Sequence, residues 1–276
     1  MNNKYHLLKC ISNDIQEHLL GGGSEISFPE GYDWLIEVMT LIDSQTKLFE
    51  STVELLEARM PEEAVLLWRA QFIRCLWISY LCNNDVTTQN KRVTEYLMQT
   101  HISSKTENKS YKKVSETELF KNTISEMGLN PVSESILDEK IEIANSTLKD
   151  ENMEKARFAT VCRLAETDTL LSAMYSSHYL KASRYEHAEA DAISKYRTVV
   201  DSTTGKKVSF DFRKTDIDMV KDVKISSIII LSYSLDKITS FIKESHPHLF
   251  GCMLNKGKLE EIINQLSQLL PDVPNS

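Results

Sequence analysis

Residues 61–81 read PEEAVLLWRAQFIRCLWISYL, and the reading of this stretch decides the fold. Pro61 suits the first turn of a helix, where its missing amide hydrogen would have had no intrahelical partner. The apolar residues that follow wrap most of the helix circumference, which marks a helix packed on nearly all sides. The run from Ala64 to Cys82 is the most apolar in the chain, yet it contains Arg69, Gln71 and Arg74. Two arginines at its middle argue against a membrane span and for a buried helix whose guanidinium groups find acceptors. Asp168, Glu166 and Asp191 are the expected acceptors, on helices that would pack against this one. For Arg74 the expectation is a structural ion pair; Arg69 either does the same or orients a site.

Outward from this helix the pattern stays helical. Trp34, Leu35, Val38, Leu41, Ile42, Leu48, Phe49, Val53 and Leu56 recur at helical spacing between residues 33 and 59. An earlier helix covers residues 3–20 and is ended by Gly21-Gly22-Gly23. Asp85 starts another. Residues 102–114, polar and basic, read as a loop: either a solvated one or a nucleic-acid contact through Lys105 to Lys113 and Tyr111. Ser115 to Glu118 forms a capping-box pattern for a short helix closed by Gly128. Ser133 opens a helix that breaks near Lys149-Asp150, and a further one runs from Met153 to Leu171. Residues Glu166 to Tyr196 read as one long helix. Thr198-Val199-Val200 and Lys207 to Phe210 flank a Gly205 turn, the pattern of a β-hairpin. A long helix from Thr215 or Asp216 ends near His246-Pro247, and a last one spans Lys256 to Leu270. The expectation is an all-α fold: a multi-helix bundle with one small β-hairpin insertion near 198–210. It is expected as a single helical domain over residues 1–276, with an N-terminal helix and loop (1–30), a helical core (31–245) and a C-terminal helix (255–271).

Composition agrees. Among 276 residues there are 8 glycines and 6 prolines, few breakers for an α protein. The formal charge of -8 excludes a whole-surface attraction to nucleic acid or to an anionic membrane. Five scattered cysteines (Cys10, Cys75, Cys82, Cys162, Cys252), no Cys-x-x-Cys and no secretory leader point to a reduced, cytoplasmic protein.

Residues 166–196 hold the densest set of groups able to do proton chemistry or grip an anion. On a regular helix Tyr179, Ser183, His187 and Asp191 align in one stripe, while His178 falls on the apolar face as a structural histidine. The stripe faces solvent, a cleft or a second packed element. It is either an ordinary pairing of His187 with Asp191 or a groove in which His187 moves protons and Arg184 steadies a phosphate. Tyr175, Tyr179 and Trp68 would line a small-ligand pocket. No metal or cofactor is expected: Glu-x-x-His and His-Glu-x-x-His are absent, His246-Pro247-His248 has no acidic or cysteine companion, and no Gly-rich phosphate loop or Gly-x-Ser-x-Gly occurs.

Leu66-Leu67-Trp68-Arg69, then Tyr175-x-x-x-Tyr179 and Ser183-x-x-x-His187-Ala188, followed by a hairpin and a long helix, resemble a large bacterial family of all-helical proteins, the domain-of-unknown-function family numbered 5677. The resemblance covers about residues 30–245. That family places an acidic residue about one turn after the arginine, where this chain has Phe72-Ile73-Arg74. Its architecture looks related to HEPN helical bundles, which include metal-independent ribonucleases and abortive-infection proteins and which commonly dimerise. Active HEPN members place four to six residues between an arginine and a histidine; Arg184 and His187 here are separated by two. The resemblance therefore implies an interaction or accessory protein linked to bacterial stress or phage defence. It would act as a homo-oligomer or with a protein partner, with no membrane. The alternative is a HEPN-like ribonuclease acting on RNA through His187 and Arg184, with Tyr175, Tyr179, Ser183, Asp191 and Arg69 as binding residues.

Overall fold

The computed structural model describes residues 2–83, 88–153, 155, 157, 159–187, 194, 197–210, 216–250 and 254–270. The chain forms two compact units, residues 1–89 with 161–276, and residues 90–160.

The first unit is built around α3 (Pro61–Leu81), which packs against α2 (Asp33–Glu57) and against α10 (Ile217–Ser245). Trp68, Phe72, Cys75, Leu76 and Ile78 of α3 are buried with Phe49 of α2 and Phe241 of α10. Each large apolar side chain so buried contributes roughly 1.5–3 kcal/mol before chain entropy is counted. Several polar residues bond inside this core, while Gln45 Oε1, Gln71 Oε1 and Ser227 Oγ are buried with no hydrogen-bond partner among the described residues. Gln71 Nε2 donates to Thr52 Oγ1 at 2.7 Å, and Thr46, Ser226, Ser234 and Thr239 return their hydroxyls to carbonyls one turn back. α10 reaches the length and hydropathy of a membrane span, with 61% of its most apolar window buried inside the protein.

α1 (Asn2–His18) lies on α2, and both α1 and α10 contact α11 (Lys256–Gln268). Gly21, Gly22 and Gly23 all take positive φ, which lets the chain leave α1 at once. At the C-terminal end of α10, His246 stacks on Trp34 with centroids 5.1 Å apart and meets Phe241 and Tyr32 edge-on, while Tyr32 bonds His248 at 2.7 Å.

The remaining helices of this unit carry the candidate site: α7 (Val161–Ala165), α8 (Thr169–Met174), a π turn (Tyr175–Tyr179) and α9 (Leu180–Glu186). The expected single helix from Glu166 to Tyr196 is therefore corrected. It is interrupted between Ala165 and Thr169, because the Asp168 side chain caps α8 by accepting from the amides of Leu170 and Leu171. α9 closes at Glu186 with His187 as its C-cap, and the expected continuation to Tyr196, Ser194 apart, lies outside the described residues. The hairpin is as expected: β1 (Arg197–Ser202) pairs antiparallel with β2 (Gly205–Phe210).

The second unit comprises α4 (Gln89–Ser115, from Asn90 onward), α5 (Glu118–Glu126) and α6 (Glu134–Asp150). Residues 102–114 are helix, not loop. They lack apolar periodicity, but Met98 and Ile102 pack on Leu148 of α6, and Lys112 holds Asp138 at 2.7 Å. The cap of α5 is Thr117, whose hydroxyl accepts the Phe120 amide, and Ser115 instead ends α4. The expected Met153–Leu171 helix is corrected as well: its C-terminal part is split into α7 and the start of α8, and its expected start lies outside any helix. The expected start at Asp85 lies outside the described residues. The chain is all-α with one small hairpin.

Candidate functional site

Arg69 leaves α3 one position after the buried Trp68 and reaches α9. Its side chain is only 14% exposed, so its permanent charge needs acceptors. It pairs with the carboxylate of Glu186, and its Nη2 donates to the Tyr179 hydroxyl at 3.0 Å. Its Cζ also lies 4.8 Å from the Tyr179 ring centroid. Arg69 Nε is buried with no hydrogen-bond partner among the described residues. Of the acceptors named from sequence, Glu166 and Asp168 have other partners among the described residues. Glu166 accepts from the Cys162 thiol at 3.3 Å, Asp168 bonds Tyr233, and Asp191 lies outside the described residues. The acid that the sequence lacks one turn after Arg69 is supplied by Glu186, from a different helix. Its only sequence signal is membership of the polar cluster around residue 186.

The π turn explains why Tyr179 meets Arg69. An i to i+5 turn holds one residue more than an α turn. Everything after it lags by about one position, so Tyr179 takes the inward place that regular spacing assigns to His178. Tyr179 is buried, and His178 is half-buried beside it. The Tyr175 ring stacks on Tyr179 at 5.5 Å, Tyr179 tilts against Phe72 at 5.5 Å, and Phe72 stacks on Trp68 at 5.5 Å. This aromatic ladder ties α9 and the π turn to α3. Tyr175 and Tyr179 are thus joined through packing.

His187 is exposed, with its Nε2 3.9 Å from Glu186 Oε2. Ser183, half-buried, accepts the His187 amide through its carbonyl at 3.0 Å, and Arg184 is exposed on α9. The geometry therefore groups Arg69, Tyr179, Tyr175 and, through Glu186, His187. A carboxylate stands at the centre of this group, between the arginine and the histidine. It offsets the charge that a phosphate would need.

His178 has a separate setting. Its Nδ1 lies 2.6 Å from Ser177 Oγ, and its ring is 5.9 Å from Trp68. Burial pushes its pKa down, against the nearby Asp222, with Lys181 adding to the effect. A small cavity of about 30 Å³ lies among Trp68, His178, Lys181, Asp222 and Ser226, with room for roughly one water molecule. Trp68 Nε1 is buried with no hydrogen-bond partner among the described residues. Lys181 and Asp222 pair at 3.5 Å on its lining.

Arg74 Nε donates to Ser44 Oγ at 3.0 Å, and its Nη1 donates to the Ala70 carbonyl at 2.9 Å. Sequence reasoning did not find the second polar knot. Tyr233 of α10 donates to Asp168 Oδ2 at 2.5 Å and sits 3.4 Å from Ser79 Oγ, and Lys237 Nζ is 3.4 Å from Asp168. Burial raises the Asp168 pKa, but the Tyr233 hydroxyl, the Leu171 amide and Lys237 outweigh it and hold the carboxyl below its usual range. Cys75 lies in the same core, and burial pushes its thiol up to about 12, so it is no nucleophile. Among the described residues no group of three or more His, Cys, Asp or Glu side chains converges as metal ligands would.

A family model described as a family of unknown function (DUF5677) matches residues 37–206. No curated protein matches the chain, and no solved structure does.

Proposed function

The chain belongs to the family of unknown function DUF5677, and from that premise we propose that it is an interaction or accessory protein of a bacterial stress or phage-defence system. One observation carries the binding half of this reading. Arg69, the best-placed cation of the candidate site, is compensated by Glu186 and hydrogen-bonded to Tyr179, so it braces α9 against α3 rather than waiting for a phosphate. The link to stress or defence, the cytoplasmic setting and a partner that is a second copy or another protein rest on the resemblance to HEPN bundles.

The ribonuclease reading has one observation of its own: Glu186 brings Arg69 and His187 to a common carboxylate. Incubating the full chain with single- and double-stranded RNA in a chelator decides between the two. The expected result is intact RNA. Cleavage that His187→Ala or Arg184→Ala abolishes, in a variant that still melts like the parent, would overturn the binding reading.

A further inference from the structure

The hairpin leaves a strand edge open. β1 and β2 form a two-stranded sheet, and among the described residues no third strand joins it. Val199 is 46% exposed, Val200 57% and Val208 46%. A two-stranded ribbon gains little stability by itself, and an edge of unpaired backbone groups invites another strand. The register says which groups stand on the edge of β1. Ser202 and Gly205 flank a two-residue turn and so form a hydrogen-bonded pair, and pairs of the two kinds alternate from there. Thr198 and Val200 therefore turn their amides and carbonyls toward β2, while those of Arg197, Val199 and Asp201 point away from it.

A strand that joins β1 must present its own outward groups to these three. A second β1 does so when it runs antiparallel with Val199 on the two-fold axis, so that position 199 meets 199 and position 197 meets 201. The same register sets Arg197 opposite the partner's Asp201, and Asp201 opposite the partner's Arg197, on one face of the sheet. A shift by one residue would instead aim outward groups at groups already bonded to β2. A shift by two keeps the parity but leaves Arg197 with no acid opposite it. Val199 already faces Val208 inside the hairpin, so the centred register also lines four valines in one row across that face. Asp201 faces Lys206 inside the hairpin, and in the joined sheet it stands between that lysine and the partner's Arg197. β2 is the poorer edge: it carries Lys206 and Lys207 and no acid, and lysines on an edge keep strands apart. We propose that two copies of this chain join edge to edge through β1, making one four-stranded antiparallel sheet closed by a two-fold axis. The proposal rests on the binding reading above and names the partner as a second copy.

The test measures the mass of the full chain by sedimentation across a concentration series. The wild-type chain is expected to pass from monomer to dimer and no further. Arg197→Glu and Asp201→Lys are each expected to weaken the dimer about tenfold or more, because each sets like charges across both ion pairs. An equimolar mixture of the two variants is expected to recover the wild-type dimer, since every 197–201 pair in the mixed dimer again joins opposite charges. Val199→Pro removes one outward amide, leaves the β1–β2 bonds in place, and is expected to abolish the dimer. Circular dichroism checks that each variant is folded. If a charged variant is not, Val199→Pro carries the test with the wild-type series. A wild-type chain that stays monomeric overturns the proposal. So does assembly that grows past the dimer, which assigns the contact to β1 against β2 of a next copy. A dimer that Val199→Pro leaves intact, or folded charge variants that do not recover on mixing, overturn it as well. RNA cleavage by a dimeric wild-type chain would instead defeat the binding reading, and a monomeric chain inert toward RNA would defeat only this proposal, so the two failures are distinguishable.

Discussion

The guanidinium of Arg69 on α3 pairs with the carboxylate of Glu186 at the last turn of α9, where the arginine is 14% and the glutamate 48% exposed. The two residues lie far apart in sequence, and the pair closes one side of the first unit.

Glu186→Gln should therefore destabilise. A largely buried guanidinium would then face a neutral amide oxygen and the Tyr179 hydroxyl with no compensating charge, and removing the charge from a partly buried pair costs about 1–2 kcal/mol once the exposure of Glu186 is counted. Arg69→Met, which removes the charge and keeps much of the volume, should cost less than Glu186→Gln. Urea midpoints of the two single variants and the double variant measure this. Full additivity in the double would show that the pair carries no coupling.

Asp168→Asn tests the second polar knot. The folded carboxyl is held below its usual range, so its contribution is complete above the unfolded pKa near 4 and is lost as pH falls through the lower folded value. Asparagine still caps α8 but loses the charge facing Tyr233 and Lys237. The variant should lose about 1–2 kcal/mol at pH 7. Between pH 5 and pH 2 its stability should fall less steeply than that of the parent, as read from denaturant midpoints across that range.

His246 gives a dependence in a different window. Burial first, and His248 second, push its pKa below the usual histidine value. The unfolded chain then takes the proton first, so stability is full above about pH 6.5 and declines as pH falls toward 5. His246→Phe keeps a ring against Trp34 and removes the buried Nε2, which has no hydrogen-bond partner among the described residues. The drop in melting temperature between pH 7.5 and pH 5.5 should shrink in this variant, and an unchanged drop would count against the assignment.

His187→Ala should alter stability by no more than about 0.5 kcal/mol, because the side chain is exposed at a helix end. A large fall in melting temperature would mean that His187 is structural.

Deleting Ser177 tests the π turn. The turn holds one residue more than an α turn, and Ser177 is exposed. Without it, Met174 and Tyr179 come to i, i+4 spacing and stay on one face of a regular helix. The shortened chain should fold within about 1 kcal/mol of the parent with the Arg69–Tyr179 contact retained. Inserting an alanine after Tyr179 should instead rotate Glu186 away from Arg69 and loosen α9.

Where a helix owes its position to its own apolar stripe, sequence was sufficient. Pro61–Leu81 is the helix that its composition implies, and the α10 start at Asp216 and the Gly205 hairpin turn follow from local capping and turn chemistry. Residues 102–114 escaped that reading because a helix held mainly by Met98, Ile102 and a lysine–aspartate pair has no periodic stripe of its own there. Asp168 escaped it because a cap inside an apparently helical run is visible only once the backbone has turned.

For the candidate site, sequence determined which residues are present: a buried arginine that must find an acid, and a polar cluster at 175–187 that can supply one. Only the tertiary structure decided that the acid is Glu186 and that Tyr179 rather than His178 faces inward. The physical reason is phase. One π turn adds a residue to the helix, shifts every later side chain by about one position, and so changes which polar group reaches Arg69.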